Sequence, residues 1–150
     1  MRRRWLALVA LVLAVCLPSC ASSRPDPSWQ SAEVKVLSEN VLWQVTRVAL
    51  EKNNFPLGAG IDQTRLCAIS GWNHSLAPFR GKGWRERCYV QWKRRGEGRW
   101  TVEVRVERDR NDDISHPLDL SYAQWEPDPD DSERARLVLQ YIRSLLDAVH

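Results

Sequence analysis

Two stretches of the chain carry apolar residues at the three- and four-residue spacing of an amphipathic helix. In the first, about 31–52, the stripe consists of Val34, Leu37, Val41, Val45 and Val48. The second, about 135–149, has a broader apolar face and follows Asp130 and Glu133, which have the spacing of a capping box. The pattern predicts one helix near each end of the region 31–150.

Between these stretches the apolar period changes to two, as in a half-buried strand. In 99–108 the inward positions are Trp100, Val102, Val104 and Val106, and in 85–94 they are Cys88, Val90 and Trp92. The segment 94–99, with two glycines, predicts a hairpin loop of odd length that keeps both apolar sets on one face. Shorter strands are expected at 57–61 and 65–71.

These elements predict an α+β fold with a single domain over 31–150. We expect a two-layer sandwich: a four-stranded antiparallel sheet with an N-terminal and a C-terminal helix on one face, in the order α-β-β-β-β-α. The other sheet face, rich in Arg and Glu, would face water.

The first 20 residues have the organisation of a secretory signal peptide. Arg2, Arg3 and Arg4 precede an apolar run over 5–17, which at ~1.5 Å per residue is short for a membrane span. The alternative is a hydrophobic helix that stays in the membrane. The run ends in Leu17-Pro18-Ser19-Cys20, which resembles the lipobox of bacterial lipoproteins.

This resemblance implies that residues 1–19 are removed and that Cys20 is acylated, anchoring the chain to a membrane. Residues 20–30 would then be a short polar tether. Ala21 and Ser22 follow Cys20, without an Asp beside it. That pattern is similar to lipoproteins of the Gram-negative outer membrane that face the periplasm, so we expect a lipid-anchored protein of the cell envelope. The layout of the domain also resembles that of small outer-membrane assembly lipoproteins.

The composition is that of an ordinary globular chain, with 150 residues of which 43% are hydrophobic and 27% charged. The formal net charge of +3 depends on Arg2, Arg3 and Arg4, since 19 basic and 19 acidic residues remain without the first 19 positions. A neutral mature chain has no bulk attraction for nucleic acid, so we expect no nucleic-acid partner.

Charge is nevertheless segregated along the sequence. The segment 80–110 contains 11 basic and 5 acidic residues, whereas 111–133 contains 8 acidic residues and no Lys or Arg. Three interpretations remain open: a solvated strand face followed by an acidic loop, a basic patch for an anionic lipid headgroup or glycan, or an acidic loop that folds over the basic strands.

Cys67 and Cys88 remain once Cys16 is removed and Cys20 is acylated. An exported protein meets an oxidising compartment, and both residues are predicted to point inward from strands. The sequence therefore predicts a Cys67–Cys88 disulfide, with two buried free thiols as the alternative.

Trp and basic residues are concentrated around a glycine-containing loop at 73–83. Such a combination can form a binding surface that stacks on a sugar ring or on a protein. The candidate binding residues are Trp72, Phe79, Arg80, Lys82, Trp84, Arg85 and Arg87. The alternative is that these aromatic side chains hold the loop in place from inside.

Signatures of catalysis are missing from the sequence. The three His residues have no metal-pair spacing, and no nucleophile motif is present. We expect no cofactor, no metal and no enzymatic activity, but a binding or scaffolding domain for an envelope protein, glycan or lipid headgroup. The alternatives are an envelope-polymer hydrolase that uses carboxylates of the 112–119 loop (Asp112, Asp113 or Asp119) and a purely structural surface lipoprotein.

Overall fold

The computed structural model describes residues 24–58, 60–76 and 82–148. Two helices occur in this part of the chain, α1 (Glu39–Lys52) and α2 (Ser132–Asp147), and a 3-10 helix covers Leu120–Tyr122. The strands are β1 (Gln30–Lys35), β2 (Gly60–Asp62), β3 (Cys67–Ile69), β4 (Asn73–Ser75), β5 (Trp84–Gly96), β6 (Arg99–Asn111) and β7 (Trp125–Asp128).

The seven strands of the described residues form one antiparallel sheet in the order β1-β6-β5-β3-β2, with β4 paired to β5 and β7 paired to β6. The predicted four-stranded sheet and the order α-β-β-β-β-α are therefore wrong. Two of the missed strands are short: β4 has three residues and β7 has four. β7 also contains Pro127, which the edge position of this strand tolerates.

The stretch predicted as the start of the first helix is instead the edge strand β1. In 31–36 the side chains alternate: Ala32, Val34 and Val36 are more buried than the residues between them. The helix begins only at Glu39, and Leu37, which was placed on its apolar stripe, is 91% exposed. A few apolar residues fit both periods in so short a segment, and the pairing with β6 decides between them.

The apolar core lies between one face of the sheet, here the helix face, and the two helices. The predicted inward residues of β5 and β6 are buried as expected and form one cluster with side chains of both helices. Trp43 of α1 meets Trp92 of β5 edge to face, with ring centroids 4.5 Å apart. The opposite side of the sheet is called the outer face below.

The prediction that the apolar sets of β5 and β6 share one face is confirmed. Cys88 pairs with Val106 and Trp92 with Val102, so both apolar sets share the helix face. An irregularity between Arg94 and Gly96 absorbs the extra residue of the loop. Gly98 closes the turn at a φ of 63°, a conformation that glycine adopts without strain.

The predicted Cys67–Cys88 disulfide is not formed, and both cysteines are free thiols. In β3 it is Ala68 that pairs with Val90 and is buried on the helix face, whereas Cys67 lies opposite Gln91. Because neighbouring residues of a strand point to opposite faces, Cys67 lies on the outer face and Cys88 on the helix face. The sheet itself separates the two thiols.

Candidate functional site

Two cross-strand ion pairs form the centre of the outer face. Arg85 lies opposite Asp109 and Arg87 opposite Glu107 in the β5–β6 register. The Nη2 of Arg85 is 2.9 Å from the Oδ2 of Asp109, and the Nε of Arg87 is 2.5 Å from the Oε2 of Glu107. Both carboxylates are almost fully buried, so they sit under the guanidinium groups rather than in solvent.

Aromatic rings cover the faces of the two guanidinium groups. The Arg85 guanidinium is 4.2 Å from the ring centroid of Trp72 and 4.8 Å from that of Trp125, and the Arg87 guanidinium is 4.5 Å from Trp72. The Tyr89 hydroxyl donates to Glu107 at 2.6 Å. The cation–π contacts and the ion pairs therefore hold each guanidinium group in an orientation that lets it bind its carboxylate.

The segment before β1 completes this arrangement. The Arg24 guanidinium contacts Glu107 and donates to Asp109 at 2.9 Å. Further along, the backbone N–H of Ser28 donates to Asp130 at 2.8 Å. The part of the expected tether that the structure describes is thus bound to the domain. We call Arg24 and its neighbours the outer-face cluster, which consists of Arg24, Trp72, Arg85, Arg87, Tyr89, Glu107, Asp109 and Trp125.

The carboxylates of the outer-face cluster are electrostatically satisfied. Burial alone would raise the pKa of Glu107, but hydrogen bonds from Arg87 and Tyr89 and the nearby guanidinium charges outweigh it, and the pKa is lowered. Burial and the bond to Glu107 raise the pKa of Tyr89 to about 12. At neutral pH Glu107 is therefore ionised and the Tyr89 phenol is neutral.

This arrangement limits what the outer-face cluster can bind. Three Arg residues (24, 85 and 87) already contact two carboxylates, so little positive charge is left for an anionic headgroup. Both acids that neutralise these Arg residues, Glu107 and Asp109, belong to β6, so within the outer-face cluster the acidic 111–133 segment does not supply them. The accessible surface is one of partly exposed Trp rings and guanidinium edges, which suits stacking against a planar or ring-shaped group.

The structure brings only part of the predicted binding surface together. Trp72, Arg85 and Arg87 meet on the outer face. Trp84 instead lies on the helix face, where Arg108 is 5.4 Å from its ring centroid. The prediction of one surface containing both Trp72 and Trp84 is wrong, because residues 84 and 85 of a strand point to opposite sides. Cys20, Phe79 and Arg80 lie outside the described residues.

A second ionic cluster is buried beside Trp84, on the helix face. Glu86 is fully buried and contacts Arg108 and Arg134, with the Nε of Arg134 3.2 Å from its Oε2. Burial raises the pKa of Glu86, and the hydrogen bond and charge of Arg108 and the charge of Arg134 offset only part of the rise. Asp131 joins this cluster through Arg108 and also caps α2 by accepting from the Arg134 N–H at 2.8 Å. Because the cluster links β5 and β6 to the start of α2, it has a structural role.

The acidic residues proposed for hydrolysis form ion pairs and hydrogen bonds in or next to their own loop. Asp112 forms an ion pair with Lys82, the exposed residue two positions before β5. Asp113 accepts from the Ser115 N–H at 2.9 Å, and Asp119 accepts from the Ser121 N–H at the same distance. The hydrogen bonds of Ser121 lower the pKa of Asp119. Asp119 therefore lacks the raised pKa of a general acid.

Sequence reasoning missed five members of the outer-face cluster: Arg24, Tyr89, Glu107, Asp109 and Trp125. The odd-length hairpin loop predicted only that the alternate residues of both strands share a face, and the pairing of residues 85 and 87 with 109 and 107 is a finding of the structure. Arg24 and Trp125 had no signal in the pattern, because one precedes the first strand and the other belongs to a strand that the pattern did not show.

The described residues contain neither a cluster suited to a metal ion nor a membrane-spanning helix. No group of His, Cys, Asp and Glu in the described residues is arranged to hold a metal ion. None of the helices in the described part of the chain has both the length and the apolar character needed to cross a membrane.

No protein-family model matches the chain, and no curated protein matches it. Among solved structures, the chain is similar to the crystal structure of a TBP-like protein from Parabacteroides distasonis. The TM-score is 0.40 with 12% sequence identity, over 87% of this chain and 92% of the other. A likeness at this level says nothing about what the protein binds.

Proposed function

We propose that the chain is a lipoprotein of the cell envelope, anchored through acylated Cys20, whose domain binds or scaffolds a neighbouring component without catalysis. In a host with two membranes it would lie on the outer membrane and face the periplasm. The anchor is supported by the sequence Leu17-Pro18-Ser19-Cys20, and the docking of Arg24 on Glu107 and Asp109 relates that anchor to the domain. Cys20 precedes Arg24 by four positions, so their Cα atoms lie within about 14 Å of each other. An acylated Cys20 would keep the outer face close to the membrane.

The outer-face cluster supports a binding role by its chemistry. Trp72 and Trp125 are partly exposed and are held rigidly over guanidinium groups. Rigid aromatic rings bind at a low entropic cost and stack well on sugars and on protein surfaces. The near neutrality of the cluster favours a glycan or protein partner over a highly charged lipid headgroup.

The anchor is tested by labelling growing cells with radioactive palmitate. We expect label in the wild-type chain and in Cys16→Ser, the matched control inside the apolar run, and none in Cys20→Ser. Wild type and control should fractionate with membranes. Equal labelling of Cys20→Ser, or its unchanged membrane fractionation, would overturn the proposal.

The binding surface is tested by cross-linking in intact envelopes, followed by purification of the lipoprotein in detergent. Trp72→Ala and Trp125→Ala should each reduce the yield of a stoichiometric partner several-fold. The control is Leu137→Ala, which removes an exposed apolar side chain from α2, far from the outer face. Circular dichroism melting of each variant separates loss of binding from loss of fold. An unchanged partner yield in folded Trp72→Ala and Trp125→Ala would remove the outer-face cluster from the binding surface.

A further inference from the structure

The loop between β6 and β7 exposes an unusual amount of apolar surface. Within residues 112–124 the exposed fractions are 80% for Ile114, 63% for Leu118, 49% for Leu120 and 56% for Tyr122. These four are half of the large exposed hydrophobic residues in the described part of the chain. Clustered exposed apolar residues mark contact surfaces in proteins, whereas scattered ones do not.

Internal contacts hold this loop in shape while its apolar side chains point outward. The side-chain oxygen of Asn111 accepts from the N–H groups of Asp113 and Gln124, each at 3.0 Å, and thereby closes the base of the loop. The His116 ring stacks on Tyr122 with centroids 4.3 Å apart. The apolar surface is therefore presented by an ordered loop and does not depend on an unfolded segment.

The N-terminal segment runs toward the same end of the sheet. Going backwards along the chain, Gln30 pairs with Val104, Ser28 binds Asp130, and Arg24 reaches Asp109. These contacts follow β6 toward its C-terminal end, from which the loop emerges. Asp109 is three residues before the loop, a distance of about 10 Å along a strand. Since Cys20 lies within about 14 Å of Arg24, the proposed anchor is within reach of the loop.

We propose that the 112–124 loop inserts its apolar side chains into the interfacial layer of the membrane that holds Cys20. This inference rests on the proposed function, because it requires the anchor. Acyl chains and loop together would give the domain two attachment points, and hence a fixed orientation with the C-terminal end of β6 toward the lipid. Leu and Ile side chains favour the acyl boundary and Tyr favours the headgroup level.

The charges of the loop determine which lipids suit it. Asp112, Asp113 and Asp119 are acidic, and their ion pairs and hydrogen bonds lie within the loop or with Lys82. Partnered carboxylates cost less to bring near the headgroups than free ones, but they would still be repelled by anionic lipid. The loop therefore fits a zwitterionic surface.

The experiment compares two dye positions in the acylated protein, processed at Cys20 and reconstituted into vesicles of phosphatidylethanolamine and phosphatidylcholine. Leu120→Cys reports on the loop. Leu37→Cys is the matched control, since Leu37 is equally apolar, is exposed, and lies beside the hairpin turn at the opposite end of β6. Both are made with Cys67→Ser, which leaves Cys88 buried and protected, and both carry a nitrobenzoxadiazole dye.

We expect brominated acyl chains to quench the dye at position 120 by about twofold or more, and the dye at position 37 hardly at all. Equal quenching at both positions, while the protein floats with vesicles and Cys20→Ser does not, would overturn the loop proposal and leave the anchor intact. A dye at 120 that is shielded but not quenched by bromine would indicate contact with a protein or a second copy, and would also overturn it. If the wild-type protein fails to float, the anchor itself is wrong and the loop proposal falls with it.

Discussion

Arg24 donates to Asp109 across 85 positions of the chain, at 2.9 Å. The same guanidinium also contacts Glu107, so one residue before the first strand ties down the end of the sheet. Both carboxylates have a second Arg partner, Arg85 for Asp109 and Arg87 for Glu107. Arg24 therefore adds a third guanidinium to two carboxylates that Arg85 and Arg87 already neutralise.

Replacing Arg24 with Ala should cost about 1 kcal/mol of the free energy of unfolding, because its partners are buried but keep their other Arg contacts. Residues 24–29 should also become more sensitive to protease. The control is Arg110→Ala, whose guanidinium is exposed and lies 3.9 Å from Glu126. That change should cost less than about 0.5 kcal/mol in urea unfolding. Equal losses in the two variants would contradict the special role of Arg24.

The two buried glutamates should respond to pH in opposite directions. The pKa of Glu107 is lowered below its ordinary value of 4.5. Its carboxylate therefore adds stability that is fully present above about pH 4.5 and is lost as the pH falls through its folded-state pKa. We expect Glu107→Gln to be less stable than wild type at pH 7, by a deficit that shrinks below about pH 4.5.

The pKa of Glu86 is raised, so its effect on stability has the opposite pH dependence. In the window above pH 4.5 the folded chain binds a proton at Glu86 that the unfolded chain has lost, so stability from this group falls as the pH rises through its folded-state pKa. From pH 4 to pH 7, the wild-type protein should therefore lose unfolding free energy relative to Glu86→Gln. Urea unfolding at several pH values checks both variants, and parallel pH curves for the two would refute the assignment.

Cys67 and Cys88 should differ sharply in reactivity. Cys88 is fully buried, and burial raises the pKa of its thiol, so it should not react with iodoacetamide in the folded protein. Cys67 is partly exposed on the outer face and should react. Mass spectrometry of the two cysteine-containing peptides, before and after urea, measures this. A linked peptide pair from the untreated protein would show that the thiols are joined after all.

The close approach of Gly58 and Gly71 predicts a position-specific effect of adding a methyl group. A Cβ at Gly58 would lie 2.1 Å from the backbone nitrogen of Gly71, whereas a Cβ at Gly71 would have its nearest neighbour at 3.4 Å. Gly58→Ala should lower stability by about 1–3 kcal/mol through backbone displacement. Gly71→Ala is the control and should melt within a few degrees of wild type, as followed by circular dichroism. The opposite order of melting temperatures would contradict the packing of these two segments.

The long elements of the fold could be predicted from the sequence because each presents a sustained period. β5 and β6 have 13 residues each, and over that length the alternation of apolar and charged residues fits only a half-buried strand. The C-terminal helix showed the same clarity over four turns. Strands of three or four residues, such as β4 and β7, contain too few positions to display any period.

The side of the sheet on which Cys67 lies could not be predicted, because β3 is a short strand. In β3 the apolar residues Ala68 and Ile69 are adjacent, so the pattern alone allows either to point inward. The register with β5 places Ala68 against Val90 and thereby puts Cys67 on the other side. The outer-face cluster depended on pairing in the same way, since Arg24 and Trp125 reach it only through the positions of β1 and β7.

The position of β1 has a consequence for the order in which the molecule assembles. Gln30 pairs with Val104 and Lys35 with Arg99, so the first strand leaves the ribosome about seventy residues before β6, the strand with which it pairs. Under the export and acylation proposed above, this strand and Cys20 would cross the membrane while β6 was still being delivered. Enzymes that modify the N-terminus would then meet an extended chain, and closure of the sheet edge by β1 would be a late step, after modification is complete.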